Sequence, residues 1–429
     1  MLDTQRPPDR GFLIQVIPNR RDRSYGEILI AELEHLACGI SLQVVGRRIF
    51  SPRQPVPATY LGKGTVAELA EEIQACGAEV VLFNHPLSAI QQRNLELQLQ
   101  AKVVDRTGLI LEIFAARART REGRLQVELA SLLYQQSRLV RTWTHLERQR
   151  GGFGMRGGPG ETQIEVDRRL LRARIHSLEK MLTQVERTRA LQRHSRQEVP
   201  LFSVALVGYT NAGKSTLFNR LSGAEVEAAD RLFATLDPTL RQVHLPGGGR
   251  IILGDTVGFI RDLPHQLVAA FRATLEEVLE ADLLLHVVDL ADPEWQEQEE
   301  AVLEVLRTLL QERGGMADKP MLTLYNKIDQ VDSPGLLERL RNRAHSRLLS
   351  ARTGVGLPEL LQSLEEAANR HNPCYRLSLP VTEAALLARL CRQGLVLQRQ
   401  DGEERVQLTV LLPVAVAGRL HQEMAPFVL

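Results

Sequence analysis

The sequence predicts an α/β protein of several domains, and three observations predict it. Apolar, β-branched runs alternate with helical periodicity in both halves of the chain, a middle segment changes to a period near 3.5 residues, and one glycine-rich turn ending in Lys-Ser-Thr stands between a strand and a helix. At roughly 100 to 200 residues per domain, the 429 residues imply two to four domains. The chain is 44% hydrophobic and 24% charged, which excludes disordered and collagen-like classes for its bulk.

In the first part, apolar runs at 12–17, 42–45, 80–83 and 103–104 alternate with helical patterns at 27–36, 66–73 and 89–99. That order predicts a small α/β domain over 1–115. The Gly-Lys-Gly at 62–64 lacks the spacing of a phosphate-binding loop and reads as a strained turn.

The period then changes. Leu125, Leu129, Leu132, Gln136, Leu139, Trp143 and Leu146 step by four and three, and the pattern resumes with Ile164, Leu171, Ile175, Leu178, Leu182 and Val185. Two such seams joined by a glycine-rich break predict a long antiparallel helical hairpin over 116–196, with arms of about 30 to 40 Å at 1.5 Å per residue. The 53 Lys and Arg nearly cancel the 52 Asp and Glu overall. Between 117 and 196, however, 18 basic residues face 8 acidic ones, so the hairpin is a basic island and the rest of the chain is net acidic. The break reads RQRGGFGMRGGPGE and carries Arg148, Arg150, Phe153 and Arg156 among glycines. Arginines that pair with phosphate, an aromatic that stacks and a backbone that approaches closely are what folded RNA recruits. The competing reading is an arm that docks on a protein.

The four cysteines form no CxxC pair and the 11 histidines are scattered, so neither a disulfide framework nor a metal-ligand cluster is expected. No apolar stretch reaches the length of a membrane span and the N-terminus lacks a signal peptide. A cytoplasmic location and a monomer when free are the expectations.

The chemistry concentrates after the strand at 201–207. GYTNAGKST matches GxxxxGK[ST] in the strand-to-helix setting that the motif requires. It brings Gly208, Tyr209, Thr210, Asn211, Ala212, Gly213, Lys214, Ser215 and Thr216 to a phosphate cradle, with Lys214 as the point charge and Ser215 as a Mg²⁺ ligand. NKID follows the strand at 321–325. Asp329 can accept from guanine N1–H and the exocyclic amine, an arrangement that adenine does not offer. Asn326 is expected to tie this loop to the phosphate loop, Lys327 to lie along the base beside Ile328, and the N–H of Ala351 in Ser350-Ala351-Arg352 to reach guanine O6. The expected nucleotides are GTP and GDP, and the expected activity is GTP hydrolysis.

Two segments between these motifs read as γ-phosphate switches. LFATLDPT supplies Phe233, Ala234, Thr235, Leu236 and Asp237, and DTVGF supplies Asp255, Thr256, Val257 and Gly258. Thr235 is the candidate second Mg²⁺ ligand, with Thr239 as runner-up, Asp255 the water-mediated Mg²⁺ contact, and Gly258 N–H the γ-phosphate sensor. The next residue is Phe259, where signalling GTPases carry a water-positioning Gln. Slow intrinsic hydrolysis follows, completed by a partner. Asn211 is the candidate for holding K⁺ against the phosphates, although Asn also serves turns for purely conformational reasons.

In this order the motifs WTHLERQRGGFGMRGGPGETQIEVDRRLLR, GYTNAGKSTLFNRL, LFATLDPTLR, DTVGFIRDLP and NKID resemble the HflX-type ribosome-splitting GTPases. The resemblance covers nearly the whole chain. It implies a translation factor that binds the large ribosomal subunit and its RNA and separates the subunits of stalled or idle ribosomes, with the hairpin and N-terminal domain facing the ribosome, Mg²⁺ as cofactor and K⁺ as activator. In one departure, Gly157 and Gly158 both precede Pro159, where the family tip has one glycine. The expected architecture is a P-loop GTPase domain at 197–370, preceded by the α/β domain and its hairpin and followed by a small α+β domain at 371–429. A protein-signalling GTP switch that docks through its arm and a nucleotide-driven RNA-remodelling enzyme are the alternative functions.

Overall fold

The computed structural model describes residues 9–17, 23–52, 54–118, 120–142, 163–197, 201–223, 233, 239–261, 278–312, 319–412 and 414–429. The chain divides into two compact units, Met1–Gln184 with Arg231–Leu236 and Asp262–Arg272, and Val185–Asp230 with Asp237–Arg261 and Ala273–Leu429.

The first unit runs β1 (Arg10–Val16), α1 (Arg23–Cys38), β2 (Gln43–Phe50), α2 (Lys63–Cys76), β3 (Val80–Phe83), α3 (Ala89–Leu99), β4 (Lys102–Asp105), α4 (Arg106–Arg117), α5 (Arg121–Thr142) and α6 (Gln163–Gln197), the unit boundary falling within α6. Its sheet has the order β2-β1-β3-β4, and every pairing in it is parallel. Parallel strands are covered on both faces, which is why FLIQV reads as an almost unbroken apolar run. Its one polar member, Gln15, is 2% exposed and accepts from Asn84 at 2.6 Å. Arg106 continues this chain of partners to Asn84 and Glu32, both at 2.7 Å.

Local chemistry sets the helix ends. Ser88 and Gln91 form a reciprocal capping box at α3, and Asp105 caps α4 by accepting from Gly108 N–H. The Gly-Lys-Gly turn is not strained, contrary to the sequence reading. Gly62 is an ordinary extended N-cap of α2 (φ −66°, ψ 153°), and the positive φ nearby belongs to Tyr60.

The hairpin helices differ from expectation in length and in packing. At about 1.5 Å per residue, the 22 residues of α5 and 35 of α6 give about 33 and 52 Å, so the second arm exceeds the expected range. On α5 the seam residues Leu125, Leu129 and Leu132 are only half-buried, whereas Val127 and Ala130 are buried. The reason is that α5 packs on α3 and α4, which selects a different face from the one the heptad marks. Further along that face, Tyr134 and Arg138 converge on Asp105, Tyr134 Oη at 2.6 Å from Oδ1 and Arg138 Nη2 at 2.5 Å from Oδ2. On α6, Ile175 and Leu178 are buried as the seam predicts. Arg174 reaches across to Glu128 at 2.6 Å.

The second unit runs β5 (Phe202–Gly208), α7 (Lys214–Ser222), β6 (Thr239–His244), β7 (Arg250–Asp255), β8 (Leu283–Asp289), α8 (Trp295–Glu312), β9 (Met321–Asn326), α9 (Pro334–Arg341), β10 (Ser346–Leu348), α10 (Leu357–His371), β11 (Cys374–Pro380), α11 (Ala384–Gln393), β12 (Leu395–Asp401), β13 (Arg405–Leu411) and α12 (Val414–Met424). Its main sheet has the order β10-β9-β8-β5-β7-β6. β6 alone is antiparallel, pairing Thr239 with Asp255. Leu206, Phe218, Leu253, Leu285, Leu324 and Leu360 make its core. A three-stranded antiparallel sheet, β11-β13-β12, packs with α11 and α12 around Leu377, Leu390, Leu408 and Leu420, the expected α+β part. Among the described residues no helix is long and apolar enough to cross a membrane.

Candidate nucleotide-binding site

The site grows from the carboxyl ends of the parallel strands, where open α/β sheets hold ligands. β5 is buried through Gly208, and the chain turns through Asn211 (φ 62°) and Gly213 (φ 93°) into α7. A Cβ at Gly213 would lie 2.3 Å from Asn326 Nδ2, so only glycine lets the NKID strand close on this loop. The contact is direct. Asn326 Nδ2 donates to Ala212 O at 2.8 Å, and its Oδ1 accepts from Ala351 N–H at 2.9 Å. The N–H expected to reach guanine O6 is therefore engaged by Asn326, and a base must compete with that contact.

Lys214 is 6% exposed and donates to Gly208 O at 3.1 Å and Tyr209 O at 2.7 Å. Burial lowers its pKa to about 8, partly offset by Asp255. An anion arriving at this ammonium stabilises its charged form. Ser215 Oγ donates to Asp255 Oδ2 at 2.8 Å, which joins two of the three candidate Mg²⁺ residues. The hydroxyl of Thr256 turns inward to Leu206 O at 2.5 Å, leaving Thr256 only its backbone to offer a ligand. Asn211 and Thr216 are exposed.

The DTVGF segment is zipped to the phosphate loop. Tyr209 and Phe259 form a parallel bridge, Thr210 N–H donates to Phe259 O at 2.8 Å, and Phe259 N–H donates to Gly208 O at 3.0 Å. A Cβ at Gly258 would lie 2.9 Å from Thr210 Cα and 3.0 Å from Lys214 Nζ, so it is the backbone of the phosphate loop that requires glycine where the segment passes. The Phe259 ring is 4% exposed and packs inward. Tyr209 Oη accepts from Arg261 N–H at 3.0 Å, and the Arg261 guanidinium pairs with Glu294 at 2.8 Å, both side chains 11% exposed. Desolvation holds Glu294 above the usual carboxylate range.

Phe233, expected to line the nucleotide, has its ring packed on an aromatic partner. It is 2% exposed and lies edge-to-face on Phe114 of α4, centroids 4.7 Å apart, both within the first unit. Its ring serves packing there. Ala234, Thr235, Leu236 and Asp237, like Arg148, Arg150, Phe153 and Arg156, lie outside the described residues. In the base loop, Lys327 adopts φ 63° and pairs with Asp289 at 2.6 Å. Asp329 is exposed, as is Arg352, and Ile328 is half-buried. Buried Ser350 accepts from Thr353 N–H at 3.1 Å.

Three groups escaped sequence reasoning. Asp289 left a signal, a carboxylate closing a strand that is apolar but for His286. Arg261 and Glu294 left none, because no local period relates residues so far apart. Nor did His286, which is buried in β8 with its pKa lowered to about 4 by burial and by repulsion from Lys214 and Arg343.

Comparison with known proteins decides the family. Residues 27–115 match the family described as GTP-binding GTPase N-terminal, 117–196 match GTP-binding GTPase Middle Region, and 203–327 match 50S ribosome-binding GTPase. The chain is 58% identical to GTPase HflX of Magnetococcus marinus, over 99% of this chain and 97% of that one. It is 48% identical to GTPase HflX of Escherichia coli, over 92% of each. This chain belongs to the HflX family of GTPases. As an HflX-family GTPase it binds guanine nucleotides and hydrolyses GTP. Among solved structures, a GTP-binding protein of Sulfolobus solfataricus in complex with GDP is similar over 84% of this chain and 99% of that chain, at 24% identity and a TM-score of 0.45.

Proposed function

We propose that this GTPase binds the large ribosomal subunit through its basic helical arm and couples GTP binding and hydrolysis to dissociation of stalled or idle ribosomes. The observation that carries this reading is the union, in one chain, of a basic segment over 117–196 with a nucleotide region matching a family described as 50S ribosome-binding. Phosphate-rich RNA is the natural partner of such an arm. Arg148, Arg150, Phe153 and Arg156 are proposed as its RNA contacts.

In the nucleotide site, Lys214 holds the β and γ oxygens, Asp329 reads the base and Asn326 locks the two loops together. Gly258 N–H senses the γ-phosphate. Ser215, Asp255 and Thr235 would hold Mg²⁺. Ser215 and Asp255 fit such an ion, being hard oxygen donors 2.8 Å apart at the phosphate cradle. When bound, Mg²⁺ neutralises charge on the phosphates. With Phe259 turned inward, the chain supplies no water-positioning side chain at that position. Basal turnover is therefore slow and rises with large subunits. Asn211 is proposed to hold K⁺ from its exposed place on the loop.

Sedimentation with large subunits in GTP, GDP and no nucleotide tests the proposal, together with light scattering of intact ribosomes. GTP-dependent co-sedimentation and a loss of scattering are expected. Equal pelleting in all three conditions, with scattering unchanged, would overturn it. Turnover is expected to be faster in potassium than in sodium and to lose that difference in Asn211→Ala.

A further inference from the structure

Asp289 closes β8 in register with Asn326 of β9, beside the candidate base loop and outside every nucleotide motif in the sequence. Its Oδ2 lies 2.6 Å from Lys327 Nζ, and its Oδ1 accepts from Ala291 N–H at 3.0 Å. Both oxygens are committed, and the side chain is 12% exposed. The backbone beside it is fixed too, since Leu290 N–H donates to Asn326 O at 3.1 Å. The carboxylate is a fixed point, and Lys327 is the partner that it holds.

Lys327 has physical reasons to need holding. Its αL backbone (φ 63°, ψ 31°) is disfavoured for a residue with a Cβ, and its long stem loses rotamer freedom whenever it is ordered. If the stem lies along the purine, an ammonium without a partner would have to be ordered at the moment of binding, at a cost to affinity. A carboxylate already joined to it removes that cost. The pair is also shielded, because Lys327 is 24% exposed, so solvent screens it less than it would a surface ion pair.

We infer that Asp289 is a positioning residue for nucleotide binding, its carboxylate ordering Lys327 before the purine arrives. The inference rests on reading 326–329 as the guanine segment. It adds a residue that acts through Lys327 without touching the base.

The test is a double-variant cycle read by titration of fluorescent GDP against the full chain. Asp289→Asn keeps the size of the side chain and an acceptor for Ala291 N–H while removing the charge, and the Kd for GDP is expected to rise about tenfold. In a Lys327→Met background, which keeps the stem and lacks the ammonium, the same substitution should change Kd by less than about twofold. Asp289→Glu should recover part of the affinity. A Kd unchanged in Asp289→Asn, or a loss of equal size in both backgrounds, overturns the inference, because a carboxylate that merely braces β8 against β9 acts regardless of the lysine. Should Asp289→Asn not fold, Asp289→Ser enters the same cycle under the same criteria. Asp329→Asn separates the two readings. If it fails to turn preference from GDP to XDP, the guanine assignment falls, whereas a normal turn to XDP with additive Asp289 and Lys327 effects sinks only the positioning role.

Discussion

The hydroxyl of Ser215 donates to Asp255 Oδ2 at 2.8 Å, so the first residue after the P-loop lysine and the last residue of β7 meet although 40 positions separate them. A carboxylate with no exposed surface depends on such donors. Ser215→Ala should lower the stability of the nucleotide-free protein by about 1 to 3 kcal/mol. It should also weaken the dependence of GDP affinity on Mg²⁺. Thermal unfolding reads the first effect, and GDP titration with and without a chelator reads the second. Undiminished Mg²⁺ dependence would remove Ser215 from the metal site.

Lys214 gives a pH dependence whose sign can be worked out. Its pKa is lowered from 10.5 to about 8 in the folded, nucleotide-free state, so between these values the unfolded chain binds more protons than the folded one. Stability from this group therefore rises as pH climbs from about 8 to 10.5. Nucleotide phosphate favours the charged lysine, so GDP affinity should fall above pH 8 over the same window. Titrations from pH 7 to 10 check this. Affinity that is flat across the range would show the lysine fully charged without nucleotide.

Asp329 is exposed, so Asp329→Asn leaves the fold intact while exchanging an acceptor for a donor. Preference should pass from guanine to xanthine nucleotides, whereas Lys214→Ala should abolish productive GTP binding altogether. Unchanged GTP affinity in Asp329→Asn would refute the base assignment.

Asp105 collects Tyr134, Arg138, Gly108 N–H and Leu87 N–H within 3.1 Å, and through them fixes α5 to the end of β4 and the start of α4. Burial and the nearby carboxylate drive the Tyr134 hydroxyl well above its ordinary range, so the phenol stays a donor. Removing Arg138 leaves a carboxylate that is 2% exposed without its cation. Arg138→Leu should therefore destabilise the protein by about 3 kcal/mol while GDP affinity stays near wild type. A melting temperature that does not move would refute the network's role.

Arg150→Ala with Arg156→Ala leaves every nucleotide motif untouched, so basal hydrolysis should persist while binding to large subunits weakens. An arginine that pairs with phosphate contributes about one unit to the salt slope of binding, so the double variant should show a shallower slope. Wild-type pelleting across a salt series would make the tip a passive linker.

By itself the sequence determined what rests on short-range chemistry. The GxxxxGKST turn, the NKID segment and the alternation of strands and helices are fixed by neighbours in the chain, and they were sufficient to indicate the fold class, the nucleotide and the family. The tertiary structure alone decided which partners those residues meet. A heptad marks Leu125, Leu129 and Leu132, yet α5 buries Val127 and Ala130, because α3 and α4 set the packed face and no local period carries their position. Phe233 reads as a switch residue and lies on Phe114, more than a hundred residues away in the chain. Asp289 with Lys327, Arg261 with Glu294 and Ser215 with Asp255 are pairs created by strand order in one sheet. Parallel order brings the ends of strands distant in sequence to one edge, and a charge there is paired by whichever strand arrives next to it.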